Sequence, residues 1–392
     1  MIKVGKYEID LTYLGVVLFL ICTIVNTSQF GASLSWVIIP CILIVIGIFG
    51  GNRYVEKKAC FIFVFYVFSL ISTVISHYVT LQRDVITFAF FCGIYTLAVS
   101  HEYTAEQIEK LNNIYIVVAL FASLNILYNW LTHHYYIEWF KRASFSFCGV
   151  YKDPNYAMAF IVPAMILCLY KIMFCTNLKS RIVYLLVEIV MLTDFITTGS
   201  RGPLLTFLLA IVVFFLFKSS LSASKKIKLV LFAMVIIALG WNVITKVLPA
   251  QSIARLLNST SDSRTDLWKS ALLVFQENPI LGGGIAAASK ASIALSGNYS
   301  HNVYIDILAN SGIVGFASFV LFFSVNCLQT VKHNAYFIYS MGVAFMLPLF
   351  FINGFNTATY YLPLIYMSIL SRYCSKYENH VEKILVSKEN QM

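Results

Sequence analysis

The chain has 392 residues, 59% of them hydrophobic, 16% aromatic and only 12% charged. Soluble domains carry about 25% charged residues, so a soluble fold of this length could not cover its surface, and that class is excluded. The formal charge of +10, from 28 Lys and Arg against 18 Asp and Glu, suggests a nucleic-acid partner only until the cations are placed along the chain.

The N-terminus runs from Met1-Ile2-Lys3 through Asp10 into an apolar run with no small-residue cleavage site, which predicts a retained signal anchor. About twenty apolar residues cross the hydrocarbon core as a helix. Apolar runs bounded by charge, Gly, Asn or Pro predict twelve spans: 11–27, 34–50, 59–79, 85–100, 112–131, 156–175, 182–198, 203–218, 227–245, 302–328, 335–352 and 357–372. These runs are long and unbroken, whereas a transmembrane β-barrel would show short alternating segments. The expected fold is an all-α polytopic membrane protein, one integral-membrane domain over 1–392.

Lys and Arg in short loops stay cytoplasmic. With the N-terminus inside, the inner loops hold Arg53, Lys57, Lys58, Lys110, Lys171, Lys179, Arg181, Lys218, Lys225, Lys226, Lys228 and Lys332. The tail at 373–392 adds Lys376, Lys383 and Lys388, with Arg372 at its edge. The short outer loops hold Arg83 and Arg201. Both termini are therefore predicted to be cytoplasmic, and the positive charge is mainly an insertion signal with no nucleic acid implied. Two outer segments are long, 132–155 and 246–300, the larger lying between the ninth and tenth spans. No internal repeat is present. The nine Cys form no CxxC pair, and most lie in or beside apolar runs, so they are read as small hydrophobes. His133-His134 has no third ligand nearby, and neither a metal nor a cofactor is expected.

Four segments carry residues suited to chemistry. Thr197-Thr198-Gly199-Ser200-Arg201-Gly202-Pro203 lies between two apolar spans and leaves Arg201 at the outer boundary. A guanidinium binds phosphate bidentately and keeps its proton, although a snorkelling helix-end Arg would look the same. Ser261 to Trp268 opens an amphipathic helix with Arg264 in its first turn and capping-box spacing between Ser263 and Asp266. It ends at Pro279 and Gly282-Gly283-Gly284, which would serve as a flexible exit or let N–H groups approach an anion. His301-Asn302-Val303-Tyr304-Ile305-Asp306 marks re-entry into the membrane. Histidine acts as a general base near neutral pH, although an interfacial His is also a common anchor. Asp306 needs a partner there, and Gly312 and Gly315 suit close helix packing. Finally, Cys148 to Ala157 forms the mouth of the sixth span, where Lys141, Arg142 and Lys152 could add to a cationic vestibule and Asp153-Pro154 starts a helix. Glu188 and Asp194 lie inside the seventh span, and Asp194 falls on about the same helix face as Arg201. Two arginines suited to a diphosphate plus one titratable base would serve a reaction in which a lipid diphosphate leaves and a hydroxyl attacks.

With these motifs in order, the sequence resembles the O-antigen ligase/polymerase superfamily of bacterial membrane glycosyltransferases. The elements that carry the resemblance are Ser200-Arg201-Gly202, Arg264-x-x-x-Trp268 running on to Asn278-Pro279-Ile280-Leu281-Gly282, His301-Asn302 followed by Gly312-x-x-Gly315, and Pro154-Asn155 upstream. They cover roughly residues 145–330. The resemblance implies a GT-C-like fold of about twelve transmembrane helices, with amphipathic helices in the outer loop between spans nine and ten. It implies metal-independent transfer of a glycan from an undecaprenyl-diphosphate carrier, at the outer face of a bacterial plasma membrane. Carried over residue by residue, Arg201 and Arg264 would hold the diphosphate and His301 would assist the acceptor hydroxyl. Ser200, Gly202, Asn302, Asn155, Lys152, Trp268 and Asp306 would line the substrate. The implied partners are lipid-linked oligosaccharide donor and acceptor, with a chain-length regulator and a flippase. The favoured branch is a polymerase of O-antigen, capsule or exopolysaccharide. A ligase to lipid A core or protein is the alternative, and a lipid-linked oligosaccharide flippase or a scaffold for a polysaccharide machine the readings from other classes. A transporter would show internal repeats and midplane charges, and Glu188 is the main charge placed that deep.

Overall fold

The structure, a computed structural model, describes residues 2–4, 7–25, 33–49, 55–76, 82–217, 224, 262–296, 300–328, 335–352 and 358–376. It opens with an antiparallel hairpin, β1 (Ile2–Val4) and β2 (Tyr7–Ile9), followed by helices α1 (Leu11–Val25) and α2 (Ser33–Phe49). A 3-10 turn at Lys57–Cys60 leads into α3 (Phe61–Ile75), then α4 (Gln82–Ser100) and α5 (Ala105–Leu131). A second hairpin, β3 (Ser146–Phe147) and β4 (Val150–Tyr151), precedes α6 (Pro154–Phe174), α7 (Leu178–Thr198) and α8 (Arg201–Phe217). After the gap come α9 (Asp262–Glu277), α10 (Ala287–Ser296), α11 (Val303–Cys327), α12 (Ala335–Met346) and α13 (Ala358–Lys376).

Every predicted span except the ninth coincides with a helix; the ninth, 227–245, lies outside the described residues. Among the described residues, Lys57–Ile75, Ala105–Leu131, Pro154–Phe174 and Val303–Cys327 are long and apolar enough to cross a membrane. Leu11–Val25, Ile38–Phe49, Asp84–Ser100, Arg201–Phe217 and Tyr336–Phe350 are shorter apolar helices. The described residues are mainly helical, as an all-α membrane protein requires, with two short hairpins beside the helices. The second is set by its turn, where Cys148 (φ 49°) and Gly149 (φ 77°) both take the left-handed backbone that a two-residue hairpin needs.

The centre of the bundle is α6, which packs on α5, α7, α8 and α12 and is buried from Ala157 through Cys168. A helix apolar all round belongs in such a place. Its neighbour α7 is one-sided instead. Leu178, Ile182, Val183, Leu185, Leu186, Ile189 and Leu192 are exposed, as suits lipid, while Glu188, Met191, Asp194 and Phe195 face inward.

Polar contacts sort to the two ends of the helices. At one end Asp10 accepts from His101 Nε2 (2.7 Å) and Gln107 Nε2 (2.8 Å), and Arg372 pairs with Glu56 (3.4 Å) while donating to the Val99 carbonyl (2.7 Å). Burial pushes the Asp10 carboxyl up, and the hydrogen bonds from His101, the Tyr13 N–H and Gln107 outweigh it, leaving it at about 2. At the other end Lys152 Nζ donates to the Thr23 carbonyl (2.8 Å), and Arg142 reaches the turn between α7 and α8.

One helix is broken. Gly312 in α11 sits at φ 64°, ψ −169°, a backbone region essentially reserved for glycine. The segment after α9 docks into the break. Ile313 N donates to the Pro279 carbonyl (3.0 Å) and Val314 N to Ile280 (3.3 Å), while Gly283 N and Gly284 N donate to Ala309 (2.8 Å) and Asn310 (2.9 Å). Non-helical backbone at such depth is tolerated when other protein groups satisfy it, as here. The Asn310 carbonyl also accepts from Ser72 of α3, and Thr73 accepts from the Ile285 N–H. Gly282 donates to Asn278, so the three glycine N–H groups are engaged within the protein. The sequence-based option that they meet an anion is corrected: two are spent on closing a broken helix and the third on the turn that leads to it.

Candidate active site

The first cation is placed by a helix-to-helix turn. Gly199 ends α7 in the left-handed conformation (φ 57°, ψ 33°), and α8 starts at once, leaving Arg201 exposed in its first turn. Gly202 has no room for a side chain, because a Cβ would lie 2.5 Å from the Phe351 ring. That ring also carries Arg264, whose Cζ is 6.0 Å from the ring centroid in a cation–π arrangement. Phe351 thus ties the turn holding Arg201 to the first turn of α9.

α9 presents Leu267, Ser270, Ala271 and Val274 to α10 and α11 and leaves Leu273 exposed, the one-sided burial that its spacing predicts. The Ser263 side chain, and with it the expected capping box, lies outside the described residues. Trp268 Nε1 donates to the Ser300 carbonyl (3.0 Å), fixing the residue before His301. Ser300 Oγ donates to Asp306 (2.5 Å) and accepts from Asn302 N (3.3 Å), while Asn302 Oδ1 accepts from the N–H groups of Tyr304 (3.1 Å) and Ile305 (3.2 Å) to cap α11. Between these fixed neighbours His301 adopts φ 52°. Positive φ is uncommon outside glycine, and strain of this kind concentrates at functional sites.

Electrostatics bring the parts together. Burial pushes the Arg264 guanidinium down, with Asp153 opposing and Arg201 adding to the effect. Burial likewise pushes the His301 imidazole below its ordinary 6.5, with Asp153 opposing and Arg264 adding. His301 is therefore mainly neutral at pH 7, in the form that accepts a proton. Arg201, Arg264, His301 and Asp153 form one coupled group drawn from the starts of α8, α9, α11 and α6.

The remaining sequence candidates frame this group. Ser200 Oγ and Asn155 Oδ1 accept from Arg142 Nη2 at 3.0 and 3.3 Å, and Arg142 Nε donates to the Thr198 carbonyl (2.6 Å). Arg142 is only 5% exposed. Lys152 is equally buried against α1, where burial pushes its ammonium down to about 7 against the pull of Asp153. The vestibule expected from Lys141, Arg142 and Lys152 is corrected, since two of these cations are turned inward as tethers. Asp194, on the same helix face as Arg201 by sequence, is fully buried with no hydrogen-bond partner for its carboxylate oxygens among the described residues.

Sequence reasoning missed Arg142 as an anchor, Asp153 as the acid beside the cations, and Phe351. The Asp153-Pro154 helix start was the available signal for the acid; Phe351 gave none. Arg142→Met should leave the buried Thr198 carbonyl and Ser200 hydroxyl without their donor and destabilise the protein by about 3 kcal/mol. Thermal unfolding of detergent-purified protein checks this, and an unchanged midpoint would remove Arg142 as the anchor of the turn.

Four helices among the described residues that are long and apolar enough to cross a membrane, together with two arginines, a histidine and a carboxylate at the starts of α8, α9, α11 and α6, define a helical membrane protein with a candidate anion-and-base site. Residues 186–320 match the Wzy_C family model, described as O-antigen ligase. The match supports the O-antigen ligase/polymerase superfamily that the motifs indicate, whose members are glycosyltransferase-like enzymes. Arg201, Arg264 and His301 all fall within it, whereas Arg142, Lys152, Asp153 and Asn155 precede it. No curated protein matches the chain.

Proposed function

We propose that the protein polymerises undecaprenyl-diphosphate-linked oligosaccharide repeat units into O-antigen, capsular or exopolysaccharide at the outer face of the bacterial plasma membrane, with both termini cytoplasmic. The observation that carries this is the Phe351 ring, which packs against Gly202, next to Arg201, and lies under Arg264, with His301 under the electrostatic influence of Arg264. A hydroxyl of the acceptor repeat unit attacks the anomeric carbon of the donor. Its proton passes to His301, the bond from the anomeric carbon to phosphate breaks, and the diphosphate leaves with the electron pair. Two guanidiniums fixed on separate helix starts match the charge that grows on the departing diphosphate. The flanking side chains, engaged with one another, hold that pair in place, which is the preorganisation such a transfer needs.

The sorting of polar contacts to two ends supports the alternation of inner and outer loops on which this orientation rests. Residues expected in the cytoplasm (Asp10, Glu56, His101, Gln107, Arg372) bond to one another, as do residues expected outside (Thr23, Arg142, Lys152, Thr198). The family description, O-antigen ligase, favours a second branch in which a finished glycan passes to a lipid A core or a protein. The glycan ladder of cells lacking the protein separates the branches. Single repeat units on the final acceptor are expected for a lost polymerase, and long chains stranded on the carrier lipid would show a lost ligase. An unchanged ladder would overturn both.

A further inference from the structure

A largely enclosed imidazole under the influence of the Arg264 guanidinium is poorly placed to gain a positive charge. The Arg264 charge at the start of α9 opposes a charge on His301, and the Arg201 charge at the start of α8 acts on Arg264 in turn. Asp306 of α11 is buried and already accepts from Ser300 Oγ (2.5 Å). The other carboxylate coupled to this group is Asp153, at the start of α6. It is fixed from both sides: Oδ1 accepts the Asn155 N–H (2.8 Å) as the N-cap of α6, and Oδ2 accepts from the Tyr136 hydroxyl (3.4 Å). Asn155 is in turn held by Arg142, which also holds Ser200 next to Arg201. The cap of α6 and the Arg201 turn are thus parts of one hydrogen-bonded frame, so the carboxylate is locked in register with the cations.

We propose that Asp153 is a positioning residue for the transfer, the fixed counter-charge that lets His301 take the acceptor's proton against the charge of Arg264. This rests on the polymerase or ligase reading of the same site. When the acceptor O–H bond breaks, its proton goes to the imidazole, its oxygen bonds the anomeric carbon, and the diphosphate leaves to the guanidiniums. The new imidazolium is then opposed by the Arg264 charge and favoured by the Asp153 carboxylate. Asp153 touches neither donor nor acceptor in this scheme, and acts through His301.

Asp153→Asn isolates the charge, because asparagine caps a helix as well as aspartate and its side-chain oxygen still accepts from Asn155. Asp153→Ser is a second neutral cap in case the first variant folds poorly. The carboxylate favours the protonated imidazole, so removing it moves the imidazolium-to-imidazole transition to lower pH. The ascending acid limb of the rate–pH profile should therefore shift to lower pH, and the plateau rate should fall about tenfold or more, as for a weaker base. A second readout needs no turnover: carbethoxylation of His301 by diethyl pyrocarbonate, followed peptide by peptide with mass spectrometry, reports the neutral imidazole. Its midpoint should move to lower pH in both variants. A profile and a labelling midpoint that superimpose on those of the unmodified protein would overturn the role of Asp153. If His301→Ala itself keeps normal transfer, the functional reading fails instead, whatever Asp153 does.

Discussion

Alanine at Arg201, Arg264 or His301 is expected to end glycan extension while the protein still inserts and accumulates in the membrane. Removing one fixed donor from a developing oxyanion costs roughly 10²–10³-fold in rate, and loss of a general base costs typically 10²–10⁴-fold. Either loss would reduce a long ladder to its shortest rungs. Arg201 is exposed and Arg264 is partly so, resting on the Phe351 ring, so their removal should change the unfolding midpoint little. Lysine distinguishes the two arginine functions. It keeps the charge but not the planar fork, so Arg201→Lys and Arg264→Lys should retain part of the activity if charge alone matters and little if bidentate phosphate binding does. His301→Ala is the decisive arm, read from the glycan ladder of complemented cells. Normal-length chains from that variant would remove His301 from the chemistry.

The spans were legible because lipid imposes a plain rule: long apolar runs, with cations at one set of ends. Arg201, Arg264 and His301 were legible because each interrupts that rule at the same predicted side. What stayed hidden depends on distant partners. Arg142 and Lys152 are as polar as any vestibule cation, and only the fold shows their donors spent on Thr198, Ser200, Asn155 and Thr23. Asp153 reads as a helix cap, and its second role appears only when α9 and α11 bring Arg264 and His301 to it. The glycine run at 282–284 suggested anion binding by composition, yet the Gly283 and Gly284 N–H groups close the break in α11 and that of Gly282 bonds to Asn278. In each case the residue type was visible while the group it meets in the fold was not.

That break makes Gly312 the position where the smallest change should do the most structural damage. A Cβ there would lie 2.2 Å from the Ile280 carbonyl oxygen and 2.6 Å from Gly282 N, both backbone atoms that cannot rotate away. The backbone conformation at φ 64°, ψ −169° is itself strained for any residue with a side chain. Gly312→Ala must therefore either push the 279–284 segment off α11 or force the helix straight. Both routes cost the bonds from Ile313 and Val314 to Pro279 and Ile280 and those from Gly283 and Gly284 to Ala309 and Asn310. The expected destabilisation is about 3 kcal/mol or more, from strain plus unpaired backbone groups. Gly93→Ala is the control: it lies in α4 with open space around its missing Cβ, and alanine there should be neutral or stabilising by up to about 1 kcal/mol. Comparing the thermal unfolding of the two purified variants tests the contrast, and equal midpoints would mean that the break is not held by glycine. The same displacement should reach the chemistry, because the 279–284 segment follows directly from α9, which carries Arg264 at its other end. Gly312→Ala protein that still inserts is therefore expected to lose glycan extension although no group of the candidate site has been altered.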